Sequence, residues 1–310
     1  MYDTIIIGGG IAGLTAGIYT ARAGLSTLIL EESTFGGQIV PADLVENYPG
    51  FDKISGFELS KKITEQTKNL GVELVQAKVD RVALEGLVKQ VYVGEKIFES
   101  KTVIVASGAR YKQAGFAGEN ELYGKGISYC ATCDGFFYKG KDVFVIGAGN
   151  SAVHAAIYLS GIADRVNVVI RKDLFRCAKT MSDKLLSLNN VKVYFNTEVV
   201  AVYGDSLINE IVFKNNKTNE TYNCKTDNNF GVFVYVGNSP NTSIFKEVLT
   251  LDDDGYIVSN GSCKTNVPGV FCAGDVRSKN LRQLVTASSD GAVAAMQVEK
   301  YISSFDPCRF

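Results

Sequence analysis

Cys130-Ala131-Thr132-Cys133 sets two thiols three positions apart, a spacing that closes a small, readily exchanged disulfide or grips a metal ion. The chain has seven cysteines, no second CxxC and a single histidine, His154, so no further ligand pair completes a metal site and redox chemistry is the reading. Asp134 follows at once and can trade a proton with a thiolate when the disulfide opens, or serve only as a solvated turn aspartate. Cys177, Cys224, Cys263, Cys272 and Cys308 read as small buried or half-buried hydrophobes. His154 sits one turn into a helix and reads as structural.

Two glycine turns carry a second kind of chemistry. In Gly8-Gly9-Gly10-Ile11-Ala12-Gly13 the first glycine permits a tight turn, the next lets backbone approach a pyrophosphate, and Gly13 allows close helix packing. Acidic Glu31 and Glu32 follow about twenty residues on; they suit ribose hydroxyls and repel a 2′-phosphate, so the site fits FAD or NAD. Gly147-Ala148-Gly149-Asn150-Ser151-Ala152 repeats the pattern, but Arg171, Lys172 and Arg176 stand where the glutamates stood. Three cations there suit the 2′-phosphate of NADPH, or form a solvated basic turn.

These motifs need particular elements around them. TIIIGGGIAGLTAGIYTARAGLSTLILEE reads as strand, turn, helix and strand, and DVFVIGAGNSAVHAAIYLSGIADRVNVVIRK repeats it, an internal repeat of a nucleotide-binding architecture. KTVIVASGA and GVFVYVGNSPNT are apolar strands that return to a sheet. The C-terminal NVPGVFCAGDVRSKNLRQLVTASSDGAVAAMQVEKYI is a strand, a glycine-aspartate turn and a long helix that must stack on the first domain. The expectation is therefore an α/β chain with a discontinuous first domain, 1–110 plus 238–310, and an inserted second domain, 111–237.

Composition narrows the classes. With 310 residues, 46% hydrophobic and 21% charged, the chain can bury two cores and is not low-complexity. Its 32 basic and 33 acidic side chains leave a formal charge of −1, so no global field favours nucleic acid or an anionic membrane surface. The strand that begins in MYDTIIIGGG leaves no room for a secretory signal, and no apolar run approaches the roughly 20 residues of a membrane span. A cytoplasmic protein is expected.

Across its whole length the chain resembles the low-molecular-weight thioredoxin reductases. GGGIAGLTAGIYTARAG, GGQIVPADLVENYPGF, SYCATCDG, VFVIGAGNSAVHAA and CAGDVRSKNLRQLVTA occur in that family's order. The resemblance implies two Rossmann-like, three-layer domains, the second inserted into the first, with noncovalent FAD in the first and the dithiol on the pyridine-nucleotide domain. It implies that Gly8, Gly10, Ala12 and Gly13 meet the FAD pyrophosphate and Glu31 the adenosine ribose. Gln38, Asn47, Arg282 and Gln283 fall near the flavin ring, and Asp275 at the ribityl-phosphate region. Gly147, Gly149, Asn150, Ser151, Ala152, Arg171, Lys172 and Arg176 then form the NADPH site, and Cys130, Cys133 and Asp134 the catalytic group. Electrons pass from NADPH through FAD to the dithiol and on to thioredoxin. The inserted domain must rotate to bring first nicotinamide and then dithiol to the flavin.

The resemblance also implies a homodimer. Where the family usually shows His-Arg-Arg-x-x-x-Arg, this chain has Ile170-Arg171-Lys172-Asp173-Leu174-Phe175-Arg176, and His154 replaces a usual glutamate. Lys172 lacks the planar fork of arginine, which admits NADH or reduced ferredoxin as alternative donors. A flavin reductase for small acceptors, or a flavin-binding sensor, are the rival functions.

Overall fold

The computed structural model describes residues 1–42, 44–226 and 229–305. They form two compact units, Met1–Arg110 with Ser239–Phe310, and Tyr111–Asn238. The first run of chain supplies β1 (Tyr2–Ile7), α1 (Ile11–Arg22), β2 (Thr27–Glu31), α2 (Gly56–Asn69), β3 (Glu73–Gln76), β4 (Arg81–Ala83), β5 (Lys89–Val93) and β6 (Lys96–Val105). The chain leaves through β7 (Ala109–Tyr111). The inserted unit holds β8 (Ile127–Ser128), α3 (Ala131–Asp134), β9 (Asp142–Ile146), α4 (Asn150–Ser160), β10 (Arg165–Val169), α5 (Lys179–Leu186) and β11 (Val191–Tyr194). It continues with β12 (Thr197–Tyr203), β13 (Glu210–Asn215), β14 (Thr221–Lys225) and β15 (Gly231–Val234). The return runs through β16 (Asn238–Pro240), which pairs with β7, to β17 (Val270–Cys272) and α6 (Leu284–Ser303).

In the first unit the sheet order is β3-β2-β1-β6-β5-β4, with β17 on the other side of β6. The strands from β3 to β6 and β17 are parallel, in register at Ile6 with Ile29 and with Ile104. Parallel strands covered on both faces read as unbroken apolar runs, which is why TIII and TLIL carry no polar alternation. Alternate side chains feed two cores. Ile6, Leu14, Ile29 and Ile104 join α1, α2 and α6 on one face. Ile5, Ile7, Leu28 and Leu30 join β4, β5 and Phe245 on the other. Ser55 starts α2 by accepting from the Glu58 amide at 3.1 Å. A capping box between Gln283 and Thr286 starts α6. α6 lies close against α1 because residue 291 is glycine: a Cβ there would stand 2.2 Å from the Ala12 carbonyl oxygen.

The inserted unit repeats the plan. Its parallel sheet, β11-β10-β9-β15-β8, has α4 and α5 on one face. The antiparallel β12-β13-β14 sheet covers the other through Val199, Val202, Ile211 and Phe213. Each unit is thus a three-layer α/β fold around a nucleotide-binding type of sheet. The three-stranded layer was not anticipated from sequence, because every residue of β14 is exposed and shows no apolar alternation. Cys224 on that strand is exposed, unlike the buried reading, while Cys263 and Cys272 are buried and Cys177 is half-buried. Cys308 lies outside the described residues.

Candidate active site

The first glycine turn joins the end of β1 to α1. Gly8 has φ +109°, and a Cβ there would fall 2.3 Å from the Ala106 carbonyl oxygen, so no other residue fits. The inserted unit reproduces this at Gly147, with φ +147° and the Tyr235 carbonyl oxygen at 2.3 Å. The likeness extends beyond the turn: Gly36 donates its amide to Gly9 at 2.8 Å, and Arg176 donates its amide to Ala148 at 2.7 Å. Both turns therefore expose helix N-terminal amides to an anion.

A cavity of about 460 Å³ opens at the first turn. Gly10, Ala12, Glu31, Gln38, Asn241 and Asp275 are among its walls. Glu31, at the end of β2, accepts from the Gly9 amide at 2.6 Å and from Ser33. Asp275 sits in the turn before α6 with Oδ1 buried, without a hydrogen bond and ion-paired to Lys279 at 3.4 Å. Burial pushes its carboxyl above the usual range, and Lys279 opposes the shift. Asp290 on α6 holds the turn in place by accepting from the Gly274 amide at 3.1 Å, from Lys279 at 2.9 Å and from Arg277. A buried carboxylate oxygen held by an ion pair alone, glycine walls and an open helix N-terminus fit a large dinucleotide such as FAD.

Gly8 and Gly13 shape the turn from behind rather than line the cavity. Asn47 also stands off its wall, and its amide donates to Gln283, the residue that starts α6, at 3.2 Å. Arg282 packs its guanidinium 3.9 Å over the Tyr256 ring and donates to the Arg277 carbonyl at 3.2 Å. Ser107 and Asn241, missed by the sequence reading, lock two loops of the wall through bonds of 2.8 and 2.7 Å. Asn241 lay within the strand-ending stretch GNSPNT, where only its turn character was visible.

The second turn carries Gly147, Gly149, Asn150, Ser151 and Ala152 at the start of α4, with Ala152 buried. Arg171, Lys172 and Arg176 are exposed beyond β10, and among the described residues they make no ion pair. His154 is exposed on α4.

Cys130 and Cys133 form a disulfide with Cα atoms 5.3 Å apart. Cys130 precedes the single turn α3, and the Cys133 and Asp134 amides both bond its carbonyl, at 3.2 and 3.1 Å. Cys133 is exposed and Cys130 half-buried. The Asp134 carboxylate accepts from the Ser128 hydroxyl at 2.6 Å. Burial raises its pKa, and the Ser128 bond works against that shift. Tyr138 and Tyr235 near it are both pushed up to about 12, chiefly by burial. Tyr235 also accepts from the Ala131 amide at 2.7 Å. Phe136 and Phe137 follow, 64% and 42% exposed. Among the described residues no group of three His, Cys, Asp or Glu is placed to hold a metal, and no helix is long and apolar enough to cross a membrane.

Residues 2–291 match the model of the pyridine nucleotide-disulphide oxidoreductase family. A thioredoxin reductase from Peptoclostridium acidaminophilum is 44% identical, covering 98% of each chain. The crystal structure of thioredoxin reductase from Streptococcus pyogenes is similar with a TM-score of 0.93 at 40% identity, covering 98% of this chain and 99% of that one. A ferredoxin-flavin thioredoxin reductase from Clostridium acetobutylicum is 29% identical with a TM-score of 0.53, covering 98% of each. The chain belongs to the pyridine nucleotide-disulphide oxidoreductase family, an oxidoreductase with a redox-active disulfide whose relatives along nearly its whole length include thioredoxin reductases.

Proposed function

We propose that this protein reduces the disulfide of thioredoxin, using FAD in the first unit and NADPH at the second glycine turn. The observation that carries the reading is the Cys130–Cys133 disulfide on α3, beside a half-buried Asp134, in a chain with two glycine-turn nucleotide folds. In this reading Gly10 and Ala12 line the pyrophosphate turn, Gly8 and Gly13 shape it from behind, and Glu31 serves the ribose. Asp275 meets the linking chain, and Gln38, Asn47, Arg282 and Gln283 flank the ring. When bound, the flavin supplies the two electrons, drawn from the nucleotide, that open the disulfide. The chain crosses between units at Arg110/Tyr111 and Asn238/Ser239, and these crossings are the hinge of the required rotation.

The protein side of the chemistry then follows from the dithiol. The Cys133 thiolate attacks one sulfur of the external disulfide, and the other sulfur leaves as a thiolate. Cys130 attacks the mixed disulfide, the Cys130–Cys133 bond closes, and the second external sulfur departs. Two protons pass from the enzyme thiols to the product thiols, and Asp134 takes and returns them as general base and acid. Exposed Phe136 and Phe137 beside Cys133 suit a protein acceptor better than a small one. We place the enzyme in the cytoplasm as a homodimer, as in the family it resembles.

Exposed Arg171, Lys172 and Arg176, without an ion pair among the described residues, favour NADPH. The single-point charge of Lys172 and the similarity to a ferredoxin-flavin enzyme keep NADH and reduced ferredoxin as second donors. Anaerobic titration with each donor, following loss of flavin absorbance, decides between them; a flavin that no donor reduces would point to a sensor. Cys130→Ser and Cys133→Ser should abolish thioredoxin reduction while sparing flavin reduction. Unchanged thioredoxin turnover in either variant would refute the reading in favour of a reductase for small acceptors.

A further inference from the structure

We propose that Ser128 is a positioning residue for dithiol exchange, its hydroxyl tying the Asp134 carboxyl to the backbone of the Cys130 turn. The inference deepens the proposed thioredoxin reduction and rests on Asp134 being its acid-base group.

Ser128 ends β8 and is only 4% exposed. Its hydroxyl donates to Asp134 Oδ2 at 2.6 Å and accepts from the Cys130 amide at 3.0 Å. One buried oxygen thus touches both the first cysteine's backbone and the proposed acid, six residues apart in sequence. α3 is a single turn, too short to hold its own geometry by helix cooperativity. Its position comes instead from side chains of the sheet edge, Ser128 on β8 and Tyr235 just after β15, whose hydroxyl accepts from the Ala131 amide. Without the Ser128 bond the carboxyl would lose its tie to the backbone of the Cys130 turn.

The bond also has an electrostatic sign. A hydrogen bond donated to a carboxylate favours its charged form. The titratable groups facing Asp134 are the phenols of Tyr123, Tyr138 and Tyr235, all pushed upward and neutral at working pH. Among the described residues no cation pairs with Asp134. Ser128 is the counterweight to burial, favouring the charged carboxylate that accepts a thiol proton.

The test uses the flavin-containing enzyme in a Cys224→Ser background, which removes the exposed free thiol among the described residues, with its dithiol reduced by dithiothreitol and the excess removed. The rate of exchange with Ellman's reagent is then followed across pH, independent of any donor. Ser128→Ala should slow exchange roughly tenfold near neutrality, the loss expected for one bond to an ionised group. It should also move the acid limb of the profile to higher pH, and Ser128→Thr should restore it. Asp134→Asn should leave only the limb set by ionisation of the thiols themselves, and the double variant should be no slower than Asp134→Asn alone. A Ser128→Ala enzyme that is slower with its limb in place, or losses that add in the double variant, would overturn the proposal while leaving Asp134 in its role. A limb that stays where it was in Asp134→Asn would overturn the acid-base reading and this inference with it.

Discussion

Replacing Gly10 by alanine should separate folding from cofactor binding. Gly10 caps α1 with φ −72°, a conformation open to any residue, and a Cβ there meets nothing nearer than the Gly37 Cα at 4.0 Å. Losing a glycine cap costs up to about 1 kcal/mol, and restricting the unfolded chain returns about 0.4–1 kcal/mol. The flavin-free protein should therefore melt almost as before. The same methyl projects into the cavity where backbone must approach a pyrophosphate. Forcing it into such a contact costs about 1–3 kcal/mol, which is roughly a ten- to hundredfold loss of flavin affinity.

Gly13→Ala is the contrast. Its Cβ would stand 1.9 Å from the Gly8 carbonyl oxygen and 3.3 Å from Ile6, so α1 must move off the sheet. That should cost more than about 3 kcal/mol and lower the melting point with or without flavin. Flavin retained per chain, its dissociation constant and the flavin-free melting curve separate the two effects. Wild-type flavin affinity in Gly10→Ala would refute the assignment of this turn to the pyrophosphate. A flavin-free Gly10→Ala protein as unstable as Gly13→Ala would refute the steric argument.

Asp275→Asn should stabilise the flavin-free protein at neutral pH while weakening flavin retention. Its folded pKa is raised by burial above the ordinary 3.8. The native state therefore holds the proton more tightly, and its contribution is present below the unfolded pKa and lost as pH rises through the folded one. Melting at acidic and neutral pH checks the sign, and a lower midpoint for Asn at neutral pH would contradict it. Glu119→Gln should destabilise the inserted unit by about 2 kcal/mol. Glu119 is 2% exposed and accepts from the Ala114 and Gly115 amides and the Tyr129 hydroxyl at 2.9, 2.7 and 2.8 Å, so an amide NH₂ would face a donor. Denaturant unfolding measures this, and an unchanged midpoint would mean that the acid is dispensable.

What could be read along the chain was local. TIIIGGGIAG and VFVIGAGNSA announce their strand, turn and helix within ten residues, since parallel strands need unbroken apolar runs and the turns need glycine at positive φ. CATC announces a disulfide because three residues suffice to close one. What needed tertiary structure was every contact made at a distance. Nothing near Asn47 shows that it reaches Gln283, 236 positions away. Neither SYCATCDG nor its spacing shows that Ser128 turns toward Asp134 rather than solvent. Nothing in CAGDVRSK shows that Asp290 on α6 reaches back to the Gly274 amide beside Asp275. Periodicity and turn chemistry act within one or two elements, whereas burial and the partners of a polar side chain depend on which elements the topology brings together.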